Sequence, residues 1–461
     1  MTAWQVLGLV FEHLGNILSV VLILALLSGK KEARATLGWV LLVLFLPYAG
    51  AIAYLILGRL PQRFPGRPSA FGIAGGHPAP KELPGPMART TRLTGLAPTL
   101  CRSLELLPGA EHKYRRLFAD IEAARRRVVL SYYVFRRDDT GRRLLTLLSR
   151  KASQGVEVCL LYDGWGAFWL AFGGFLRPCV RAGVRARPFH PVADPLQMSR
   201  VNFRNHRKIA VIDGEIGYTG SINIGDEYLG RSPRFGPWKD VHVRLEGAAA
   251  TALEEVFRED WNTATGEVLE PSPEPADPGD TWIHVIPSGP NQAEEKLFPL
   301  LFAQLASAQR RVDILTPYLV PDHTLVAALA VAARQGARVR VVLPGRSNHP
   351  LVAAAGRSYY EELLDEGVEL YEVPGGMLHA KALLIDTGWA MVGSTNLDDR
   401  SFHLNFEINV AAAEPAFCEH LRSTFEGWVQ EARRVAPADV AAKSLVRRLV
   451  EGACRTLSPV L

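Results

Sequence analysis

The chain has 461 residues, 48% of them apolar, and a formal net charge of +5. That length allows two or three domains around a large buried core. The positive balance favours an anionic partner, whether a membrane surface, a phosphate-bearing substrate or nucleic acid, without choosing among them. Five scattered cysteines (Cys101, Cys159, Cys179, Cys418, Cys454) with no CxxC pair argue against a disulfide framework or a zinc site, and read as small buried hydrophobes.

Residues 4–28 are strongly apolar, interrupted near the start by Glu12, His13 and Asn16. A basic loop with Lys30, Lys31 and Arg34 follows, and residues 37–58 are apolar without a charge. A bilayer core needs roughly 20 apolar residues of helix. Residues 1–59 are therefore expected to form a transmembrane hairpin, with Trp4, Trp39 and Tyr54 near its ends as interfacial anchors. A cleavable signal peptide fits poorly, because no basic segment precedes the first stretch. Pro47 is expected to kink the second helix. Arg59, Arg63 and Arg67 balance the hairpin-loop cations, so charge does not orient the pair. Residues 60–110 are rich in Pro and Gly and read as a tether.

The remainder is a duplication. Leu117-Phe118-Ala119 and the later Arg125-Arg126-Arg127-Val128 return as Leu301-Phe302-Ala303 and Gln309-Arg310-Arg311-Val312, an offset of 184 (302−118). Gly183-Val184 returns as Gly367-Val368 at the same offset. Each half, 111–270 and 280–435, alternates helices with apolar β-branched strands, which predicts an α/β fold of largely parallel strands and a pseudo-two-fold axis between the halves. The Pro-rich segment 271–279 is the seam. The first half carries about eleven extra residues around His190 to Phe203, since its motif histidine lies only 173 before its counterpart (379−206). The tail 437–461 ends in an amphipathic helix. Leu445, Val446, Leu449, Val450, Ala453 and Leu457 share one face, which suits either docking on the domain or an anionic interface.

One motif occurs in both halves. His206-x-Lys208 leads through an apolar run to Asp213 and then Gly220-Ser221-x-Asn223; His379-x-Lys381 leads to Asp386 and Gly393-Ser394-x-Asn396. In a strand, residues i and i+2 face the same way, so each His and Lys should point together. Lysine supplies a cation for a phosphate oxygen, and histidine is poised near neutral pH as nucleophile or acid/base. Ser221, Asn223, Ser394 and Asn396 add short-armed phosphate donors. Two such sets across an axis make a phosphodiester site: one imidazole attacks phosphorus, and the other protonates the leaving alcohol and deprotonates the incoming one. Asp240 and Glu407 are expected to orient the histidines, Asp240 behind His206 and Glu407 behind His379. Asp213 and Asp386 complete the candidate catalytic set, holding loop and lysine rather than touching substrate. The scheme needs no metal or cofactor, since the lysines neutralise charge. A single His here would more often be structural, and Gly220, Gly393, Asp226, Glu227 and Asp398 to Ser401 have ordinary readings as turns and helix caps.

Two copies of His-x-Lys-x4-Asp-x6-Gly-Ser-x-Asn resemble the phospholipase D superfamily. Leu37-Gly-Trp39, Leu46-Pro47-Tyr48, Tyr162-Asp163-Gly164, Asn205-His206-Arg207-Lys208 and Leu404-Asn405-Phe-Glu407 make the resemblance closer to bacterial cardiolipin synthases. That resemblance covers nearly the whole chain. It implies duplicated phospholipase D-like domains behind a membrane hairpin, in the bacterial plasma membrane with the cytoplasmic side preferred for the globular part. It also implies a transphosphatidylation in which two phosphatidylglycerols give cardiolipin and glycerol through a phosphatidyl-histidine, His206 being the nucleophile and His379 the acid/base. A hydrolytic phospholipase D or a phosphodiesterase nuclease on the same fold are the alternatives, and a non-catalytic scaffold fits two intact motifs poorly. Donor, acceptor, membrane side and oligomeric state are left open by the sequence.

Overall fold

The computed structural model describes residues 2–28, 33–54, 82–191, 200, 202–292 and 295–456. They fall in two compact units, Met1–Arg63 and Phe64–Leu461. The basic hairpin loop at 29–32, the cations Arg59, Arg63 and Arg67, most of the expected tether and Leu457 lie outside the described residues.

The N-terminal unit is helical. A 26-residue helix, Ala3–Ser28, is followed by Ala33–Phe45 and by the short Pro47–Ala53. The apolar run expected as one kinked helix over 37–58 is thus two pieces as far as Ala53, and 55–58 lie outside the described residues. Pro47 has no N–H to continue the ladder, and Leu46 leaves helical geometry at φ −132°, ψ 70°. Among the described residues no helix is long and apolar enough to cross a membrane. The pieces are tied by Ser19 Oγ donating to the Val43 carbonyl at 3.0 Å and by Tyr48 donating to the Phe11 carbonyl. Leu22, Leu26, Val43 and Tyr54 are buried between them, while Trp4, Phe11, Ile17, Val20, Leu24 and Leu27 face outward, each more than half exposed.

The second unit contains the duplication. The first half builds a seven-stranded sheet with spatial order Ser103–Pro108, Val241–Glu246, Ile216–Gly220, Ile209–Ile212, Arg127–Tyr132, Glu157–Asp163, Arg185–Phe189. The second half repeats the central pattern within nine strands: Glu407–Ala412, Trp389–Gly393, Ala382–Ile385, Arg311–Leu315, Arg338–Pro344 and Glu369–Val373 are its core. Only three adjacent core strands in each half run parallel; the motif strands and their neighbours are antiparallel. The expectation of largely parallel sheets fails because each motif strand returns through a tight hairpin, Ile212 to Ile216 and Ile385 to Trp389, which can only pair antiparallel.

The repeat reaches helix caps. Asp138 accepts from Gly141 N at the start of Asp139–Ser153, and Asp322 accepts from Leu325 N at the start of His323–Arg334, again 184 apart (322−138). The end of the expected tether, by contrast, is integral to the fold. Helix Gly85–Thr94 packs on the second half, Arg89 donating to Gln304, and Thr99–Cys101 and Ser103–Pro108 each add an edge strand to one sheet.

Thr91 Oγ1 of that helix meets His284 Nε2 at 2.9 Å. Burial pushes the His284 imidazole down to about 4. An imidazole depressed in the folded state binds protons more readily when unfolded, so its stabilising effect is present above about pH 6.5 and is lost as pH falls toward 4. His284→Gln keeps a hydrogen-bonding partner for Thr91 and removes the titration. Chemical denaturation between pH 4 and 6.5 should show the slope of stability against pH reduced by up to about 1.4 kcal/mol per pH unit; an unchanged slope would reject this role.

Candidate active site

Both histidines stand on short extended segments just before the motif strands, not within them. Asn205 to Lys208 leads into Ile209–Ile212, and His379 to Lys381 leads into Ala382–Ile385. Because these strands are antiparallel to the central strands Arg127–Tyr132 and Arg311–Leu315, the histidines lie at the carboxyl ends of the parallel strands. Their backbones leave their own sheets and pair with the other half. His206 N donates to the Phe406 carbonyl (2.9 Å) and Phe406 N to the Arg204 carbonyl (2.9 Å). His379 N donates to the Lys239 carbonyl (2.8 Å), where Trp238–Lys239 runs parallel to Met377–Leu378.

The side chains follow the same exchange. His206 Nδ1–H donates to Glu407, 2.9 Å from both carboxylate oxygens. His379 Nδ1–H donates to Asp240 Oδ2 at 3.0 Å. The within-half assignment of the two carboxylates is therefore reversed. The backbone explains it: the residue preceding each carboxylate, Phe406 or Lys239, is already bonded to the backbone of the opposite histidine, so the carboxylate falls under that ring. Nδ1 is committed in both rings, leaving Nε2 as the nitrogen for a substrate.

Of the ten polar motif side chains, the eight of His, Lys, Ser and Asn are buried, while Asp213 and Asp386 are partly exposed. Lys208 and Lys381 each lie within electrostatic reach of both carboxylates. Lys208 Nζ donates to the His206 carbonyl (2.5 Å) and sits 5.6 Å from the Tyr133 ring centre. Lys381 Nζ donates to the His379 carbonyl at 2.7 Å and lies 3.0 Å from His379 Nε2. Burial lowers the His206 imidazole well below its ordinary range, and Lys208 and Lys381 add repulsion. Burial, with Lys381 beside it, pushes His379 down to about 3, against the pull of Asp240. Burial lowers Lys381 to about 7 and raises Glu407 to about 7. Burial also acts to raise Asp240, but His379 and Lys381 outweigh it and hold that carboxyl below the usual range.

The serines serve the carboxylates. Ser221 Oγ donates to Asp240 and lies 2.7 Å from the Val241 carbonyl; Ser394 Oγ donates to Glu407 Oε2 at 2.5 Å. Asn223 gives its amide to Tyr228 and accepts from Val134 N, whereas Asn396 keeps a buried amide oxygen with no partner among the described residues. Gly220 and Gly393 are more than turn residues. A Cβ at Gly220 (φ 141°) would meet His242 Cα at 2.7 Å, and one at Gly393 would meet the Ile408 carbonyl at 2.5 Å, so only glycine lets the serine strand approach the carboxylate strand.

Asp213 and Asp386 do not join this cluster. Each follows the far end of its motif strand, five residues from the lysine, about 16 Å away in extended chain. Asp213 accepts from the backbone N–H of Arg125, Arg126 and Arg127 (2.7–2.8 Å), and Asp386 from Gln309, Arg310 and Arg311 (2.7–3.3 Å). Both adopt left-handed backbone, φ 55° and 53°, which aspartate tolerates. They staple the loop, as expected, but not the lysine. Asp398 caps helix Asp399–His403 through Ser401 N, and Asp226 accepts from Thr140 N and Oγ1 at the start of Asp139–Ser153.

Several supporting groups went unassigned in the sequence. Arg207, between His206 and Lys208, points the opposite way and reaches Asp260 (2.5 Å), the Glu407 carbonyl (3.0 Å) and the Ser288 carbonyl (3.1 Å). The alternation of a strand-like segment carried that signal. Asp163 accepts from Asn205 N (2.9 Å) and Trp165 N (2.8 Å), fixing the segment before His206. Tyr133 packs on the His206 ring at 4.9 Å and Trp238 on the His379 ring at 5.4 Å; nothing in their spacing announced them.

A family profile described as "Cardiolipin synthase, PLD-like domain" matches residues 117–261 and 301–428, which hold both histidines, both lysines and both carboxylates. The chain belongs to the cardiolipin synthase family. A second profile, "Phospholipase_D-nuclease N-terminal", matches residues 17–59. The cardiolipin synthase of Geobacillus thermodenitrificans is 36% identical across 94% of this chain and 90% of its own length. That of Listeria innocua is 34% identical across 94% and 95%. The crystal structure of a phosphatidylserine synthase from Haemophilus influenzae overlays with a TM-score of 0.63 at 14% identity, covering 82% of this chain and 100% of that one, so the two share a fold.

The crossed pairing predicts that Glu407→Ala removes the protected Nδ1–H signal of His206 and leaves that of His379, with Asp240→Ala doing the reverse, in proton–nitrogen NMR of the imidazoles. Loss within the same half would restore the uncrossed assignment. Asp386→Ala should destabilise the fold by about 2–4 kcal/mol, because it orphans backbone donors, while turnover per folded molecule stays within a few-fold. A thousand-fold loss of turnover in a fully folded variant would put Asp386 back in the chemistry.

Proposed function

We propose that this member of the family transfers a phosphatidyl group from one phosphatidylglycerol to another, giving cardiolipin and glycerol. The observation that carries the reading is the pair of imidazoles, one from each half, each with Nδ1 held by the carboxylate of the opposite half beside a buried lysine. The halves 111–270 and 280–435 each supply half of the site. Lys208, Lys381, Asn223 and Asn396 hold the non-bridging oxygens, and Ser221 and Ser394 position the carboxylates. His206 Nε2 attacks phosphorus in line; the P–O bond to glycerol breaks, and His379 supplies the proton that leaves with the alkoxide. A headgroup hydroxyl of the second phosphatidylglycerol then gives its proton to His379 and attacks phosphorus. The P–N bond breaks and His206 is regenerated. Glu407 and Asp240 stabilise whichever imidazole is cationic. A phosphodiester anion between the lysines favours their charged forms, offsetting the burial that depresses them.

The N-terminal unit supports a bilayer setting. Its outward faces are apolar, and a helix of 26 residues is about 39 Å long. The proposal is a helical hairpin seated in the bacterial plasma membrane, its second arm broken at Pro47, with the globular unit on the cytoplasmic side.

Purified full-length protein in phosphatidylglycerol vesicles should form one cardiolipin and release one glycerol per turnover without a nucleotide. His206→Ala and His379→Ala should each cost at least about a thousand-fold in kcat. Phosphatidic acid as sole product would identify a hydrolase. Full activity in both variants would remove the two-histidine scheme.

A further inference from the structure

The globular unit carries an exposed apolar surface of its own. The C-terminal helix Leu445–Thr456 is inverted relative to an ordinary surface helix, whose apolar stripe faces the core. It docks through its polar side. Glu451 and Cys454 are buried; Glu451 accepts from Lys443 (2.7 Å) and Arg447 (3.0 Å). Arg455 stacks 3.9 Å from the Tyr359 ring centre and bonds Glu362 at 3.1 Å, and Lys443 also donates to the Arg357 carbonyl at 2.9 Å. The other side is left outward: Leu445 and Val446 are each 71% exposed, Leu449 64% and Val450 52%. Arg447 and Arg448 stand exposed between them. The neighbouring helix Pro350–Arg357 adds Leu351, also more than half exposed.

A matching feature occupies the equivalent place in the first half. Strand Glu157–Asp163 leads into a loop whose Trp165, Trp169 and Phe172 are exposed, and Arg137 donates to the Trp169 carbonyl at 3.1 Å. Helix Pro350–Arg357 follows Arg338–Pro344, the counterpart of Glu157–Asp163. The aromatic loop and helix Pro350–Arg357, on which the C-terminal helix packs, therefore leave the carboxyl ends of corresponding parallel strands, the ends that carry His206 and His379. Gly166 lies against Tyr133, which packs on His206, so the aromatic loop borders the site directly. Most of the large apolar side chains exposed on this unit belong to one of these two features.

We propose that the aromatic loop 165–172 and the outward face of the C-terminal helix form a two-sided docking surface for an anionic lipid bilayer, seating the mouth of the site on the membrane. Apolar side chains with interleaved arginines are what an interface of anionic headgroups over acyl chains accepts, and aromatic rings suit the headgroup level. The proposal rests on the lipid reading of the site for its purpose, but its test reads insertion apart from turnover.

All five native cysteines are buried, so a single exposed cysteine can be labelled selectively. Leu449→Cys and Trp169→Cys, each carrying an environment-sensitive nitrobenzoxadiazole, would be reconstituted as full chain into phosphatidylcholine vesicles containing phosphatidylglycerol and a lipid spin-labelled on its acyl chain. Both labels should shift to the blue and be quenched, while a label at Val268→Cys, exposed elsewhere, should not. Either label remaining at its aqueous emission overturns the proposal. Independently, Leu449→Glu with Val450→Glu should lower activity on vesicles at least ten-fold, with activity on monomeric short-chain phosphatidylglycerol within two-fold of wild type. Unchanged vesicle activity overturns it, and so does equal loss on both substrates at an unchanged Tm, because the helix would then act on the site rather than at the interface. If neither substrate is turned over by wild type, the transferase reading fails, and the label experiment still decides the surface.

Discussion

Two hydrogen bonds that cross between the halves, His206 to Glu407 and His379 to Asp240, govern the surrounding structure. A buried carboxylate is tolerable only when its oxygens are fully occupied, and a buried pair that loses one member is destabilised by about 3–5 kcal/mol. Each carboxylate here has an imidazole from the opposite half, a serine from its own half and a lysine in electrostatic reach. The halves cannot separate without stranding these groups. Arg207 adds to the constraint by joining Asp260 of the first half to the Glu407 and Ser288 carbonyls of the second. The same contacts that hold the halves together therefore aim the two Nε2 atoms.

Pseudo-symmetry of the backbone does not make the two imidazoles equivalent. Glu407 is pushed up by its burial, whereas Asp240 is held down by His379 and Lys381. Both imidazoles are depressed by burial, but the more firmly ionised Asp240 stabilises a cationic His379 more than Glu407 stabilises a cationic His206. The aromatic neighbours differ as well, a tyrosine against His206 and a tryptophan against His379. Duplication thus supplies a common frame, and divergence of the residues packed on it allows two jobs.

Apolar surface is distributed unevenly in the molecule. The sheets and helices of the duplicated unit bury theirs in the usual way. The N-terminal helices and the C-terminal helix turn theirs outward, and the latter is fastened through Glu451, Lys443 and Arg455. In water such an arrangement gains nothing from burial; it becomes favourable where acyl chains replace solvent.

The sequence by itself determined the duplication, the motif residues and the α/β class. Matched spacings and alternating apolar runs are local properties, readable without a third dimension, and the helix cap at Asp138 recurs at Asp322 with the same offset. It marked Asp213 and Asp386 as loop-holding acids, but only the fold supplied their donors, backbone N–H groups 75 to 88 residues away rather than the lysines. The tertiary structure alone decided which carboxylate serves which histidine, because sequence separation says nothing about strands exchanged across an axis. It decided that the serines face carboxylates, that two glycines make room for that approach, and that the strands around each motif run antiparallel. It decided, finally, which side of the C-terminal helix is fastened: the amphipathic pattern marks two faces, but only the neighbours at Tyr359 and Glu362 determine that the polar one turns inward.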